Sequence, residues 1–563
     1  MPAKEAQLNV YHSVHPFVRL KQWLHLESED AWVVVIYTAA TGLISLVVPI
    51  AVQAVVNTIA FGTLLQPLAV LTILVFAALL AVAWLSGYRQ YVVEMIQRRV
   101  FVRLAGDVAD KLVRVEPKAF DRYHGPELVN RFLEVVTVQK AGATLLLDGL
   151  TVAVQTLIGM ILLAVYHPFL LAFDVLLALS LFVVLVPMGS GAVPTAVKES
   201  KAKYNLLAWL EELARHQIAV KSRAGLALAL ERTNELVKDY LHYRAAHFRV
   251  LIRQIVGSFV LQAFASATLL GVGGWLVIDR QMTLGQLVAA ELVVALVTSG
   301  ITKFGKHLEL FYDLMASLDK LGYLTDLPKE REDGEAFPRK NGAASVRLIS
   351  ATVVAGDSIP LLRDVTVEAG AGERIGLLGS TGSGKSTLLD VLYGLRQPGR
   401  GRVEIDNRDY RELNLGDLRD QIALVREPQI FEGTVVENLR LGREDLTTDR
   451  ARKALEEVGL LEHILKMPNG IYTTLSTGGA PLSAGQAVQL ELARAVAHEP
   501  RVLVLDECLD WLEDLPERGR LLDLVFGPRD RWTVIVASHN GEILRRCDRV
   551  YEIRDGRLLE VRR

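Results

Sequence analysis

A run of glycine, serine and lysine residues in the carboxyl-terminal half of the chain has the spacing of a phosphate-binding loop. The segment "GSTGSGKS", from Gly379 to Ser386, fits G-x-x-x-x-G-K-[ST] and lies between an apolar strand pattern and a helix pattern. Its glycines allow backbone N–H groups to point inward around phosphates at a helix N-terminus, where the helix dipole also favours anions. Lys385 would reach the β- and γ-phosphates of ATP, and the Ser386 hydroxyl would be a ligand of Mg²⁺. The predicted nucleotide-binding residues of this loop are Gly379, Ser380, Thr381, Gly382, Ser383, Gly384, Lys385, Ser386 and Thr387.

Two acidic residues and a histidine could supply the rest of a hydrolytic site. The segment "RVLVLDE" has the pattern of a buried strand that ends in Asp506 and Glu507, and "VIVASHN" places His539 after another strand. Asp506 is predicted to hold the magnesium shell, and Glu507 to orient and deprotonate the attacking water. His539 is predicted to contact the γ-phosphate, because ligands of such folds collect at the carboxyl ends of the strands. The alternative is a strand followed by a solvated acidic turn, with a structural histidine.

The segment "LSAGQ", from Leu482 to Gln486, carries no acid, base or metal ligand, although it precedes the acidic strand end. It could supply a serine hydroxyl, backbone N–H groups and a helix N-terminus to an anion. An exposed, N-capped helix is the alternative interpretation.

These motifs need a sheet to position them, and the sequence predicts one in its carboxyl-terminal part. Residues 343–563 contain short β-rich runs, such as "RIGLLG" and "WTVIVAS", separated by helix patterns. This arrangement is typical of a parallel sheet covered by helices. The segment 322–342 is charged and contains Pro and Gly, which predicts a linker. The predicted fold class after the linker is therefore an α/β P-loop NTPase domain.

The amino-terminal part is predicted to lie in a membrane. Hydrophobic residues make up 51% of the 563 residues, against 22% charged residues, and the mean hydropathy is +0.28. Residues 31–321 are predicted to form an all-α domain whose apolar runs are each near the roughly 20 residues that a helix needs to cross a bilayer. A buried core helix is the alternative for one such run, but not for six in succession. The six predicted spans are 32–58, 66–87, 142–166, 168–188, 254–278 and 284–304.

The segments between the spans set the predicted orientation. Residues 88–140 and 190–253 are long, basic and helix-like, whereas the other connections carry at most Arg280. Because Lys and Arg concentrate in cytoplasmic segments, both termini are predicted to be cytoplasmic. Residues 1–30 mix aromatic and basic residues without a signal-peptide pattern, which predicts a cytoplasmic or interfacial N-terminal helix.

Charge and cysteine content argue against two other classes of protein. The net charge of −2 predicts no nucleic-acid partner. Two cysteines, Cys508 and Cys547, are too few for a disulfide-built scaffold and fit a domain in reducing cytosol.

The P-loop, "LSAGQ", "VLVLDE" and the histidine after a strand resemble, in type and order, the nucleotide-binding domain of ABC transporters. The six spans resemble the membrane half of exporters of that family, so the resemblance covers essentially the whole chain. In the family the pentapeptide, usually LSGGQ, begins a helix that faces the γ-phosphate of an ATP held by the partner domain. The resemblance therefore implies that Ser483, Gly485 and Gln486 bind a nucleotide held by a second half-transporter.

The resemblance also implies two short coupling helices between the spans and the nucleotide-binding domain. The first is expected in "FDRYHGPELVNRF", where Gly125, Leu128 and Arg131 match the family pattern. The second is expected near "WLEELARHQIAVKSRAG".

Several positions depart from the family pattern. Ala355 stands where the family usually has an aromatic residue that stacks on adenine. Adenine binding is therefore expected to be weaker, or its stacking partner comes from elsewhere in the protein. Arg426 or Glu427 takes the place of a Gln that normally touches the metal and senses the γ-phosphate, which puts conformational coupling in doubt more than hydrolysis. Ala484 replaces the middle glycine of the pentapeptide, and residues 510–513 read "DWLE" where S-A-L-D is usual.

The resulting prediction is an ATP-hydrolysing translocase. We expect a homodimeric ABC exporter that moves its substrate by alternating access across the bacterial inner membrane, most similar to type I secretion and peptide exporters. Peptide or protein, lipid and small amphiphile all remain open as cargo. The implied partners are a second half-transporter, membrane lipids and a periplasmic adaptor protein, and no leader-peptide cleavage is expected. The alternatives are an ATP-binding regulatory or gating half of a heterodimer with low intrinsic hydrolysis, or a lipid flippase.

Three acidic residues inside the predicted spans have two interpretations. Asp148, Asp174 and Glu291 are costly in lipid unless they face an interior cavity, which makes them candidates for the substrate path. Alternatively, each lies close enough to a membrane interface for its carboxylate to reach the headgroups.

Overall fold

The computed structural model describes residues 14–60, 65–121, 125–355, 359–512, 516–527 and 529–562. The chain divides into two compact units. The amino-terminal unit comprises Met1–Val115 and Ala119–Lys329, and the carboxyl-terminal unit comprises Glu116–Lys118 and Glu330–Arg563. The main division, between Lys329 and Glu330, lies within the segment 322–342 for which a linker is predicted.

The amino-terminal unit is built from helices. Numbered along the chain, they are α1 Pro16–Leu26, α2 Ser28–Ser45, α3 Val47–Ala60, α4 Leu65–Arg114, α5 Gly125–Asn130, α6 Glu134–Thr144, α7 Leu150–Tyr166, α8 Pro168–Leu185, α9 Ala192–Arg215, α10 Gln217–Val220, α11 Arg223–Ile278 and α12 Leu284–Thr325.

Three of these helices are much longer than a bilayer requires. Helices α4, α11 and α12 contain 50, 56 and 42 residues. At about 1.5 Å of rise per residue, the longest is roughly 80 Å, against a hydrocarbon core of about 30 Å. Each of the three therefore extends well beyond the membrane. The short helix α10 lies between the rod-like helices α9 and α11, inside the region where a second coupling helix is predicted.

Five helical stretches in the described residues are long and apolar enough to cross a membrane. They correspond to the first five predicted spans, and the sixth, 284–304, falls in α12, whose described apolar part is Leu284–Val297. Two spans are less regular than the sequence predicts. The first is broken at Leu46, between α2 and α3, and the third passes through a π-helical turn, Leu145–Gly149, before α7.

The carboxyl-terminal unit is an α/β domain. Its strands are β1 Val346–Ala355, β2 Ile359–Ala369, β3 Arg374–Leu378, β4 Arg400–Ile405, β5 Arg408–Asp409, β6 Ile422–Val425, β7 Gly433–Thr434, β8 Thr474–Leu475, β9 Val502–Asp506, β10 Thr533–Ala537, β11 Arg549–Arg554 and β12 Arg557–Arg562. Its helices are α13 Lys385–Leu392, α14 Leu415–Arg419, α15 Val435–Arg440, α16 Thr448–Glu457, α17 Leu461–Leu465, α18 Ala484–Ala497, α19 Arg518–Val525 and α20 Gly541–Arg545.

The main sheet has the order β12-β11-β3-β10-β9-β6. Four of its five pairings are parallel, and only β11 with β12 is antiparallel. The central strands are apolar along their whole length because helices cover both faces of the sheet. Val504, Leu505 and Ile535, for example, are fully buried. The predicted parallel sheet is thus confirmed. A second, antiparallel sheet with the order β2-β1-β4-β5 was not predicted from the sequence.

Candidate functional site

The candidate site lies at the carboxyl edge of the main sheet. The P-loop follows β3, Arg426 follows β6, Glu507 follows β9, and His539 comes two residues after β10. These four strands are neighbours in the order β3-β10-β9-β6, and their parallel pairing sets Leu377 beside Ala537, and Ala537 beside Asp506. Parallel pairing therefore brings residues that are far apart in the sequence to one edge, which is where ligands of such folds bind.

The P-loop has the backbone conformation that its glycines permit. Gly382 and Gly384 have φ values of 81° and 111°, a region that side chains disfavour. A Cβ atom on Gly384 would also lie 2.9 Å from the carbonyl oxygen of Leu361. Helix α13 begins directly afterwards at Lys385. The first N–H groups of this helix are available to an anion in the loop.

Lys385 and Glu507 lie in contact at the centre of the site. Lys385 is buried, and its Nζ donates to the carbonyl oxygens of Gly379 (2.7 Å) and Ser380 (3.2 Å). The same Nζ lies 3.1 Å from Glu507 Oε1, and this carboxylate oxygen lies 3.3 Å from His539 Nε2. The three side chains assigned to phosphate binding and hydrolysis are therefore within hydrogen-bond reach of one another.

Ser386 and Asp506 fit the requirements of a magnesium site. The Ser386 hydroxyl donates to Asp506 Oδ1 at 3.3 Å. Mg²⁺ prefers one or two protein oxygen ligands together with substrate phosphates, rather than an all-protein cage. The described residues include no group of three or more His, Cys, Asp or Glu side chains that could hold a metal ion by themselves. Burial raises the pKa of Asp506, whereas the Ser386 hydrogen bond and the nearby Arg426 guanidinium lower it.

Of the two residues considered for the position of the family's usual Gln, Arg426 is the one that contacts Asp506. Its Nη2 lies 3.4 Å from Asp506 Oδ2 and 2.8 Å from Asp390 Oδ1. Glu427 makes no such contact with Asp506 among the interactions of the described residues. The sequence left Arg426 and Glu427 as alternatives because the spacing in that loop allows a one-residue gap.

Ser483 lies at the exposed start of α18. A capping box holds this end of the helix: the Gln486 N–H donates to Ser483 Oγ (3.3 Å), and the Ser483 N–H donates to Gln486 Oε1 (2.9 Å). Ser483 and Ala484 are exposed, and the helix is buried from Ala487 onward. The Ser483 hydroxyl accepts the capping bond, so its own proton is available to a ligand outside the helix.

A buried ion pair links α18 to the loop that begins with Arg426. Glu491 Oε1 accepts from the Gln429 N–H (2.7 Å) and lies 2.8 Å from Arg494 Nη1. Arg494 Nη1 also donates to the Gln429 carbonyl oxygen at 3.0 Å. This pair was not predicted from the sequence. Its only signal is two opposite charges three residues apart in the mainly apolar second half of the helix.

Asp510 is a second residue that the sequence analysis did not place in the site. Its carboxylate accepts from the Ser538 hydroxyl (2.5 Å) and from the His539 N–H (3.2 Å). Asp510 therefore holds the backbone that carries His539. Glu513, the last residue of "DWLE", lies outside the described residues.

Other predicted positions belong to other elements or are described only in part. Ala355 ends β1, but its side chain and residues 356–358 lie outside the described part of the chain. In the amino-terminal unit, Leu128 is buried and Arg131 stacks on the Tyr323 ring, with its guanidinium carbon 4.3 Å from the ring centroid. Asp174 is buried in α8, and the described residues provide no hydrogen-bond partner for its carboxylate.

Two family models match this chain, and together they cover most of it. The model described as "ABC transporter transmembrane region" matches residues 31–301, and the model described as "ABC transporter" matches residues 362–510.

Curated proteins and solved structures are also similar to the chain. It is 26% identical to the fatty acid ABC transporter ATP-binding/permease protein of Mycobacterium bovis, over 86% of this chain and 77% of the relative. It is also 26% identical to the cyclolysin secretion/processing ATP-binding protein CyaB of Bordetella pertussis, over 92% of this chain and 73% of that relative. A solved structure of a bacterial Atm1-family ABC exporter with ATP bound matches with a TM-score of 0.78 and 19% identity, covering 95% of each chain.

Proposed function

Because this chain belongs to the ABC transporter superfamily, with an exporter-type membrane region and one nucleotide-binding domain, we propose that it is one half of a dimeric ATP-driven exporter. The chain is a multi-pass membrane protein and an ATP-hydrolysing transporter. Its dimeric state, its substrate and its location in a bacterial inner membrane with cytoplasmic termini are parts of the proposal. The observation that carries it is the convergence of Lys385, Glu507 and His539 within 3.3 Å contacts at the carboxyl edge of the sheet.

The P-loop is proposed to bind the phosphates of ATP. Backbone N–H groups of residues 379–387 and the start of α13 would surround them. Lys385 would exchange its contact with Glu507 for one with the β- and γ-phosphates. That exchange would release the Glu507 carboxylate toward the attacking water.

Ser386 and Asp506 are proposed to hold Mg²⁺, which when bound would neutralise charge on the transferred phosphoryl group. Glu507 would accept the proton of the attacking water, and His539 would donate to the γ-phosphate. The contact between His539 Nε2 and Glu507 Oε1 supports these roles, because it places the two side chains next to each other beside Lys385 of the P-loop.

The start of α18 is proposed to complete the site of a second chain. Ser483, Gly485 and Gln486 would approach the γ-phosphate of the partner's nucleotide. The exposed Ser483 hydroxyl and the N-terminus of a 14-residue helix, whose capping bond engages the Gln486 N–H, support this role. A second copy of this chain is the simplest partner, since each copy would then contribute a P-loop and a pentapeptide.

The substrate proposal favours an amphiphile. A groove of about 790 Å³ runs between α8 and α11, with Val183, Val260 and Phe264 among its apolar lining residues and Arg253 as a charged one. Such a surface suits an apolar chain with an anionic head group. The fatty acid transporter among the relatives supports a lipid-like cargo, whereas the cyclolysin secretion relative supports a polypeptide and a periplasmic adaptor. Stimulation of ATPase activity by a fatty acid, compared with an unfolded peptide, discriminates between these cargoes.

Replacing Glu507 by Gln tests the proposed hydrolytic role. The variant is expected to bind ATP with near-normal affinity and to lose hydrolysis by at least about 100-fold, because the amide cannot accept the proton. The matched control is Glu444→Gln, which changes an exposed glutamate of the same domain and is expected to leave turnover unchanged. ATPase rate and nucleotide binding are measured on the full-length protein in nanodiscs. Unchanged hydrolysis in the Glu507 variant would contradict the assignment.

A regulatory half of a heterodimer is the second candidate, and one observation favours it. The Arg426 guanidinium lies 3.4 Å from the carboxylate proposed to hold the metal, which disfavours metal binding and therefore turnover. The ATPase rate of the purified chain alone, together with the number of subunits by native mass measurement, separates the two candidates. A monomer with little turnover that gains activity only with a different chain would support the regulatory role.

A further inference from the structure

Asp506 already has a cationic partner in its own chain. Arg426 Nη2 lies 3.4 Å from Asp506 Oδ2, while Asp506 Oδ1 accepts from the Ser386 hydroxyl. The Asp506 side chain is only 8% exposed, whereas that of Arg426 is 32% exposed. A buried carboxylate is costly unless it is paired, so the guanidinium stabilises the ionised form of Asp506.

Arg426 also bridges to a second carboxylate. Its Nη2 lies 2.8 Å from Asp390 Oδ1. The other oxygen of this carboxylate, Oδ2, lies 3.3 Å from Arg396 Nε. Both carboxylates are therefore reached through the same nitrogen of Arg426. Among the described residues, none accepts a hydrogen bond from its buried Nε. The guanidinium is thus held by one edge, which allows it to turn away from Asp506 while it keeps Asp390 as its partner.

A divalent ion and this guanidinium cannot both bind Asp506 without a cost. Mg²⁺ requires a short, nearly octahedral set of oxygen ligands. A positive group 3.4 Å from one oxygen of this carboxylate repels a divalent ion bound to the same carboxylate.

We infer that Arg426 and a divalent metal ion are alternative cations for Asp506, so that Arg426 sets the metal requirement of the nucleotide site. This inference rests on the proposed ATP site. With Arg426 on Asp506, the site keeps a positive charge near the phosphates and binds nucleotide with little metal. When the metal enters, Arg426 turns to Asp390 alone. Arg426 is a positioning residue, since it acts on the site through Asp506.

The test measures metal binding rather than turnover. Full-length protein in nanodiscs is titrated with Mn²⁺ in the presence of the non-hydrolysable analogue AMP-PNP, and free Mn²⁺ is followed by its electron paramagnetic resonance signal. Arg426→Gln is expected to lower the half-saturating Mn²⁺ concentration by about 3- to 10-fold, because the positive charge that competes with the ion is removed. This factor corresponds to the free energy of one partly exposed ion pair. In EDTA, the same variant is expected to bind the analogue more weakly by a similar factor.

Two further variants separate charge from structure. Arg426→Lys retains the positive charge and is expected to stay within about twofold of the wild type in both measurements. Arg396→Gln removes a guanidinium from Asp390 and is expected to leave the half-saturating Mn²⁺ concentration unchanged.

Three results would overturn the inference. The first is an equal half-saturating Mn²⁺ concentration in the wild type and Arg426→Gln. The second is a Lys variant that behaves like the Gln variant. The third is a wild type that binds no AMP-PNP at any Mn²⁺ concentration, which would also refute the proposed ATP site. Normal analogue binding with an unchanged metal requirement would refute the role of Arg426 alone.

Discussion

At the scale of single residues, Asp510 holds the backbone of a predicted site residue, His539. Its two carboxylate oxygens accept from the Ser538 hydroxyl and from the His539 N–H. Both donors follow β10, so Asp510 determines where the His539 backbone lies relative to Glu507. Removing these contacts would displace a side chain that is proposed to touch the γ-phosphate.

Asp510→Ala is expected to lower kcat by about 10- to 100-fold, because small misplacements of catalytic groups cost this much. KM for ATP should change by less than about threefold, since the P-loop is untouched. Asp510→Asn, which can still accept one of the two hydrogen bonds, is the matched control and should fall in between. Steady-state kinetics of the full-length protein provides both parameters. A kcat that is unaffected in the Ala variant would show that His539 is positioned without Asp510.

The sequence predicts the members of the site better than their contacts. The P-loop, Asp506 and Glu507 are recognisable because each depends on a local pattern, a glycine spacing or an apolar strand with an acidic end. The contact between Arg426 and Asp506 depends on the pairing of β6 with β9, which sets Val425 beside Leu505. No local pattern specifies such a register. The same reason explains why Asp510 was noted only as a departure from the family pattern.

At the scale of elements, helix α18 is fastened to its neighbours by polar contacts at its carboxyl-terminal end. Arg494 Nε donates to the Asn438 carbonyl oxygen (2.7 Å), and His498 Nε2 lies 3.0 Å from that of Leu439. Both carbonyls belong to α15, whose last turn leaves carbonyl groups without helical partners. The amino-terminal end of α18, at Ser483, remains exposed. Helix α18 is therefore held by hydrogen bonds at its carboxyl-terminal end, while its amino-terminal end is exposed to solvent.

The contact between His498 and the Leu439 carbonyl oxygen predicts that the stability of helix α18 depends on pH. Burial lowers the pKa of His498 from 6.5 to about 4. A histidine with a lower pKa in the folded state binds more protons when it is unfolded, so its stabilising effect is complete above pH 6.5 and is lost as the pH falls toward 4. Between pH 7.5 and 5.0 the free energy of opening of α18 is expected to fall by about 1–2 kcal/mol.

Hydrogen exchange of peptides from residues 484–497, corrected for intrinsic exchange rates at each pH, measures this free energy. His498→Gln is the matched control, because its amide can still donate to the Leu439 carbonyl oxygen but does not titrate. The variant should lose about 1 kcal/mol less than the wild type over the same pH interval. An identical pH dependence in both proteins would show that other groups are responsible.

The elements themselves were predicted unevenly. Long apolar runs locate the membrane helices, because the length needed to cross a bilayer is a strong constraint. The break at Leu46 is marked by Pro49, which cannot donate to the carbonyl of Ser45 four residues earlier, but this signal was not used in the prediction. The π turn at Leu145–Gly149 contains no Pro, and it was not predicted. The antiparallel sheet of β1, β2, β4 and β5 was missed for two reasons. The pairing of β1 with β4 joins residues about 50 positions apart, and the registers of β1 with β2 and with β4 are both interrupted by bulges.

At the scale of the whole molecule, the proposed function requires two chains. Ser483 is exposed at a helix start, and the P-loop residues Ser380 and Thr381 are exposed at the carboxyl edge of the sheet. Helix α18 packs against α15 and α16, rather than forming part of the P-loop. One chain therefore presents the two proposed phosphate-binding surfaces separately. Pairing two copies head to tail would place the P-loop of one copy against Ser483 of the other.

A cross-linking experiment tests this arrangement. A chain with Glu507→Gln, Thr381→Cys and Ser483→Cys is expected to form a covalent dimer with a short bifunctional thiol reagent when ATP and Mg²⁺ are present. Chains with only one of the two introduced cysteines should give no dimer. The native Cys508 and Cys547 are buried, and burial raises the pKa of the Cys508 thiol, so neither should react. The Glu507 substitution matters because ATP that is not hydrolysed keeps the proposed interface closed.

Dimer formation that is equal with and without ATP would point to an interface unrelated to the nucleotide. A cross-link confined to single chains would place Ser483 beside the P-loop of its own domain, and the two-chain site would have to be abandoned.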